Sequence, residues 1–160
     1  MKLATFTPTH IKPLVPEVPL TPMELRERIE DLTAMIVAAP DAPYETRHYY
    51  ADGLYAREIH VPAGTWVVGS IHRFEHINVL SKGDVSIVTE AGPKHLSAPA
   101  TFPVKAGSKT LGYAHSDTVW TTFCVNADNE RDPAVLFDRL ITPEYLDAPK
   151  LTKETVAWLS

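Results

Sequence analysis

The segment Pro62-Ala63-Gly64-Thr65-Trp66-Val67-Val68-Gly69-Ser70-Ile71-His72-Arg73-Phe74-Glu75-His76-Ile77-Asn78-Val79-Leu80-Ser81-Lys82-Gly83-Asp84 sets two histidines, a glutamate and an asparagine between β-type apolar runs closed by glycine turns. On one straight strand His72 and His76 would share a face but stand about 13 Å apart, at roughly 3.3 Å per residue. The imidazoles converge only if Arg73-Phe74-Glu75 is the bend between two antiparallel strands. The chain around this segment is therefore read as β-structure with a polar cluster at a strand corner.

Working outward, a period of two runs from Glu45 to Val125. The stretches 54–61, 65–72, 76–82, 84–90, 94–97, 100–105, 109–115 and 118–125 are rich in Val, Ile, Thr, Tyr, Phe and Trp. They are punctuated by Asp52-Gly53, Pro62-Ala63-Gly64, Gly83-Asp84, Ala91-Gly92-Pro93, Ala106-Gly107 and Ser116-Asp117. Short strands at this spacing predict a sandwich or barrel without crossover helices.

The flanks read differently. Thr21-Pro22-Met23-Glu24 supplies an N-cap, a proline at the first helical position and a glutamate at N3. Leu25, Ile29, Leu32 and Ile36 then form one stripe of an amphipathic helix over about 22 to 38, which stops before Pro40. Asp132-Pro133 caps a second helix through about Leu140, and Thr152 starts a third through Trp158, so residues 132–160 are read as C-terminal helices. Prolines at 8, 13, 16, 19 and 22 make residues 1–20 an extended arm. Its Ile11, Leu14, Val15, Val18 and Leu20 call for cover, which predicts packing on the barrel or on a second subunit. Residues 21–160 make a single domain, with the barrel over 45–125.

Composition excludes several classes. Fifteen basic and 20 acidic residues among 160 give a net charge of −5, and no long Lys/Arg run tracks a phosphate backbone. The one cysteine, Cys124, has no intrachain partner and reads as a buried strand residue in a reducing compartment. No 18-residue apolar run appears, so a cytoplasmic protein is expected. No nucleophile elbow, Walker loop, dinucleotide fingerprint or Cys-x-x-Cys is present.

The Pro-x-Gly opening, the strand ending in His72, the second polar cluster and Leu80-Ser81-Lys82-Gly83-Asp84 resemble the first motif of the cupin family. That family carries two histidines one residue apart and a later glutamate. Here His72 matches the first histidine, Phe74 stands at the second, and His76, separated from Gly83 by six residues, occupies the glutamate slot. The second motif aligns with Lys105-Ala106-Gly107-Ser108-Lys109-Thr110, whose expected histidine is Thr110. His115 lies five residues on, on the opposite face unless Gly112 distorts the strand. A wider likeness over about 22–142 links the helix, Tyr55-Ala56-Arg57-Glu58-Ile59 and Gly112-Tyr113-Ala114-His115-Ser116-Asp117-Thr118-Val119-Trp120-Thr121-Thr122 to small cupin-like proteins of tailed bacteriophages.

The resemblance implies a mainly β, cupin-like jelly-roll β-barrel, with the host cytoplasm as its compartment if it is phage-encoded. It further implies a divalent metal (Zn, Fe, Mn or Ni) on His72, His76 and His115, with Glu75 as fourth ligand or as catalytic base. Asn78, Tyr113, Trp120 and Asp117 are the candidate ligand contacts. Bland readings stand beside these: His72 with Glu75 as a surface pair, His76 and Asn78 as satisfied polar residues at a barrel mouth, and Asp117 as a turn residue. His10, His48, His60 and His95 are read as surface or packing residues. Three functions stay open: a metal-dependent enzyme on a small molecule, a metal-free small-molecule binder such as one taking a nucleotide signal of host defence, and a structural or virion-associated scaffold. A homodimer with a small-molecule ligand, and with neither nucleic acid nor membrane as partner, is the expected assembly.

Overall fold

The computed structural model describes residues 1–4, 21–89 and 91–142. The proline-rich arm over 8–20 and the third helix from Thr152 lie outside the described residues. The elements are β1 (Lys2–Ala4), α1 (Pro22–Ala38), β2 (Glu45–Ala51), β3 (Gly53–Val61), β4 (Trp66–Val68), β5 (Ile71–His72), β6 (His76–Lys82), β7 (Asp84–Thr89), β8 (Gly92–Ser97), β9 (Ala100–Val104), β10 (Leu111–Ala114), β11 (Thr118–Asn126), α2 (Pro133–Leu140) and β12 (Ile141–Thr142).

The strands pair antiparallel into a front sheet ordered β2-β3-β11-β6-β9 and a back sheet ordered β1-β4-β10-β7-β8, with β5 and β12 as a separate pair. Setting aside β1 and β2, the front sheet holds the first, eighth, third and sixth strands of an eight-strand set, and the back sheet the second, seventh, fourth and fifth. That interleaving is the double Greek key of a jelly roll, the architecture of cupins. The fold is thus mainly β and cupin-like. The expected jelly roll is built as two facing sheets, and among the described residues the strands form no closed ring.

Alternation along the strands sets both faces. On β7, Val85 and Ile87 turn between the sheets, where they meet Ile59, Val61, Leu80 and Ala114. Val88 turns outward against α1. The helix stripe Leu25, Ile29, Leu32 and Ile36 is buried on Trp66, Val68 and Leu111 of the outer back face. Each such side chain taken out of water contributes about 1.5–3 kcal/mol, which exceeds anything helix propensity supplies. A third cluster seats Leu136 and Leu140 of α2 on Tyr55 and Cys124. Cys124 is buried there as expected, and burial pushes its thiol up to about 11.

The capping box of α1 is formed, with Glu24 N donating to Thr21 Oγ1 at 3.3 Å and Thr21 N donating to Glu24 Oε2 at 2.7 Å. Thr21→Ala is therefore expected to lower stability by about 1 kcal/mol, read as a fall of a few degrees in thermal midpoint. An unchanged midpoint would show that packing alone holds the helix end.

Two strand readings are revised. The run 65–72 splits into β4 and β5 at Gly69-Ser70, where β4 leaves its ladder with β10 and β5 pairs instead with β12, and Gly69 N still donates to Thr110 O at 2.8 Å. The strand β2, missed in the sequence, is a mostly exposed edge strand whose side chains show no apolar alternation. No helix among the described residues is long and apolar enough to cross a membrane.

Candidate functional site

The bend Arg73-Phe74-Glu75 joins β5 to β6 and is held from outside by α2 and β12. Arg73 N donates to Leu140 O at 2.8 Å and Arg73 Nε to Ile141 O at 2.9 Å, while His72 pairs with Ile141 in the β5–β12 ladder. Turned back in this way, the chain brings the rings of His72 and His76 to 3.9 Å between centroids at 36°.

Both imidazoles are neutral at physiological pH. Burial first, then the neighbouring His76 and Arg57, push His72 down to about 3. Burial is also the main cause that lowers His76. The Phe74 carbonyl lies 3.2 Å from His76 Nδ1, which places the proton there and leaves Nε2 with a free lone pair. Next to His76 on the same inward face, Asn78 Oδ1 accepts from Thr122 Oγ1 at 2.9 Å, a bond made between buried side chains.

These groups form the polar end of a cavity of about 80 Å³ between the sheets, with Arg57, Ser70, His72, His76, Asn78 and Thr122 on one side and Ile59, Val85, Ile87 and Trp120 on the other. A second cavity of about 60 Å³ beneath α2 shares Arg57, His72 and Thr122 with the first. Register explains the gathering: Arg57 stands opposite Thr122 in the β3–β11 ladder, and Thr122 opposite Asn78 in the β11–β6 ladder. The described lining residues include no Asp or Glu.

Of the residues singled out in the sequence, His72, His76, Asn78 and Trp120 line the larger cavity, and Tyr113 only borders it from β10 while its ring lies on the outer back face. Trp120 meets Phe102 edge-on at 5.6 Å, and Tyr113 packs against Trp66 at 5.1 Å. Glu75 is exposed at the outside of the bend and does not line the cavity. Asp117 serves its turn, accepting from Ala63 N at 3.1 Å. His115 does not line the cavity with His72 and His76. Leu111, Tyr113 and His115 alternate to the outer back face, and Gly112 introduces no bulge, since β10 pairs in continuous register with β7. The metal set implied by the resemblance is therefore not assembled, because the described cavity brings two imidazoles and no third His, Cys, Asp or Glu.

The outer back face gathers a different group. Asp84, His95 and His115 place their ligand atoms within 4.8 Å of one another and can hold a metal ion. His95, read from the sequence as a surface or packing residue, has its Nε2 2.6 Å from Asp84 Oδ1. Neither Asp84 nor Arg57 was singled out in the sequence. The parity of Val85 and Ile87 was the available signal for Asp84, and the inward parity of Tyr55 and Ile59 for Arg57.

The sequence matches no protein-family model and no curated protein. Solved structures with a similar backbone include KdgF from Halomonas sp., at 15% identity over 59% of this chain and 90% of that one, with a TM-score of 0.48. A cupin superfamily protein from Desulfitobacterium hafniense is similar at 13% identity over 73% of this chain and 98% of that one, TM-score 0.46. An acetylacetone dioxygenase from Acinetobacter johnsonii is similar at 12% identity over 56% and 68%, TM-score 0.45.

Proposed function

We propose that this protein binds a short organic anion in the cavity between its sheets, one carrying a hydroxyl or amine donor close to its carboxylate. The observation that carries this reading is the charge of the cavity: a half-buried guanidinium, the Met1 α-amino group and two neutral imidazoles, with no carboxylate among the described lining residues. Arg57 presents the planar donor fork that suits a carboxylate. His76 Nε2 accepts from the adjacent donor group, and the Asn78–Thr122 pair offers further polar contacts. Ile59, Val85, Ile87 and Trp120 take the carbon skeleton.

Size narrows the class. At about 80 Å³ the cavity is about half of one that holds a benzene ring, so it admits a short acid or the acidic end of a longer molecule. Binding is favoured over acid–base catalysis through Glu75, because that carboxylate stands outside the cavity. Neutral imidazoles matter here too, since protonated ones beside Arg57 would make the empty cavity strongly self-repelling.

Titrating the full chain with two- to four-carbon carboxylates, with and without a hydroxyl or amine, tests the reading by calorimetry or by shifts in the histidine ring resonances. At least one hydroxy- or amino-acid should bind, with Arg57→Gln weakening it roughly 10–100-fold, the usual worth of a charged hydrogen bond. Equal binding by wild type and Arg57→Gln, or no binding by any acid in the series, would overturn the proposal.

A further inference from the structure

Asp84 opens β7, His95 lies in the middle of β8 and His115 follows β10, and the ladders of the back sheet bring all three to one outer patch. Ser86 stands opposite both His95 and Tyr113, Asp84 opposite Ser97, and His115 N donates to Asp84 O at 2.8 Å, so three strands fix the backbone beneath the group. We propose that Asp84, His95 and His115 bind one divalent ion of the zinc class, with its fourth position open to solvent. This site lies outside the inter-sheet cavity and does not depend on the function proposed for it.

The donor set carries the identity of the ion. Two imidazoles and one carboxylate suit a borderline transition ion rather than calcium or magnesium, which take mostly oxygen ligands. Three protein ligands are also the number that zinc keeps where a fourth position is left for water or a substrate. Ligands of a tetrahedral zinc stand about 3.3 Å apart, from bond lengths of 2.0–2.2 Å. The donors here lie within 4.8 Å, so side-chain rotation closes the set over a fixed backbone.

Each ligand is also aimed by a neighbour, which a plain surface ion pair does not need. Ser97 Oγ donates to Asp84 Oδ2 at 2.8 Å and leaves Oδ1 facing His95. Ser86 Oγ lies 3.3 Å from His95 Nδ1, which turns Nε2 toward Asp84, and 2.8 Å from His115 Nε2. Tyr113 flanks His115 edge-on at 5.0 Å and limits its rotation. Such outer partners fix ring orientation and raise ligand basicity at metal sites. His95 and His115 are exposed, which leaves the remaining coordination position facing water.

The test uses the metal alone. Full-length protein is titrated with Zn²⁺ by calorimetry, and with Co²⁺ by its visible absorption, which reports nitrogen and oxygen ligation directly. Wild type should take up one ion, and Asp84→Asn, His95→Gln and His115→Gln should each weaken uptake at least tenfold. His72→Gln should leave it unchanged. Excess Zn²⁺ should raise the thermal midpoint of wild type by roughly 5–10 °C, because the ion ties β7, β8 and β10 together, and that of the triad variants much less. Equal uptake by wild type and the triad variants, uptake abolished by His72→Gln, or no uptake by wild type would each overturn the assignment. Melting curves without metal show that the variants are folded.

Discussion

Gly83→Ala is expected to destabilise the fold by about 3 kcal/mol or more, a large part of the roughly 5–15 kcal/mol that holds a typical domain. Gly83 is the corner at which the chain leaves β6 in the front sheet and enters β7 in the back sheet, and its φ of 102° lies where L side chains are strained. Space adds to the strain. A Cβ there would overlap the Thr118 hydroxyl and come within 2.8 Å of Asp117 O and of Thr118 Cα, and the backbone atoms cannot step aside without opening the β10–β11 turn. Gly53→Ala provides the contrast: φ is 74°, but nothing lies within 4 Å of the added carbon, so only the conformational cost of about 1–2 kcal/mol applies. Urea denaturation of the two variants measures the difference. Equal losses would mean that Thr118 and its turn relax freely.

Stability is also expected to fall by roughly 1–2 kcal/mol between pH 6.5 and pH 5 on account of His72 alone. Its folded-state pKa of about 3 lies below the unfolded value of 6.5, so below pH 6.5 the unfolded chain binds a proton that the folded chain excludes. The stabilisation is complete above 6.5 and is lost progressively as pH falls toward 3. His76, lowered by burial in the same way, adds to the loss. Denaturant midpoints at pH 7, 6 and 5 give the slope, and His72→Gln should reduce it, leaving the part due to His76 and His48, which burial also lowers. A slope unchanged by His72→Gln would place the titrating group elsewhere.

The parts of this architecture written in local sequence were readable. The stripe Leu25, Ile29, Leu32, Ile36 with Thr21 and Glu24 before it defines a helix by period and cap, and Pro22–Ala38 is where it forms. Alternation exposed β3, β6, β7 and β11, whose inward residues build the core. β2 escaped because an edge strand with both faces largely in water carries no alternation to read. The site divided along the same line. His72 and His76 are separated by one bend, and the demand that the imidazoles converge located that bend. Arg57, Asn78 and Thr122 are neighbours only through two ladders, so nothing local announces them as a set. Asp84, His95 and His115 come from three strands, and only the pairing of β7 with both β8 and β10 reveals their proximity. His115 illustrates the cost of preferring a motif to parity, because the alternation that sets residue 115 against residue 110 already pointed it away from the cavity.

The interleaving of the two sheets also governs the route by which the chain reaches this form. The nine-residue ladder of β3 with β11 joins residues near 57 to residues near 122, so the front sheet lacks its central pairing until most of the chain between them is in place. Among the described residues only the β2–β3 and β7–β8 ladders and the two helices can assemble from neighbouring sequence. Closing the long loop comes before the apolar burial that compensates for it, and β-topologies of this kind refold in milliseconds to seconds rather than microseconds. Until β11 arrives, β3 and β6 each present an unpaired edge. The interval before Thr118–Asn126 docks is therefore when this protein is most exposed to association with its own copies.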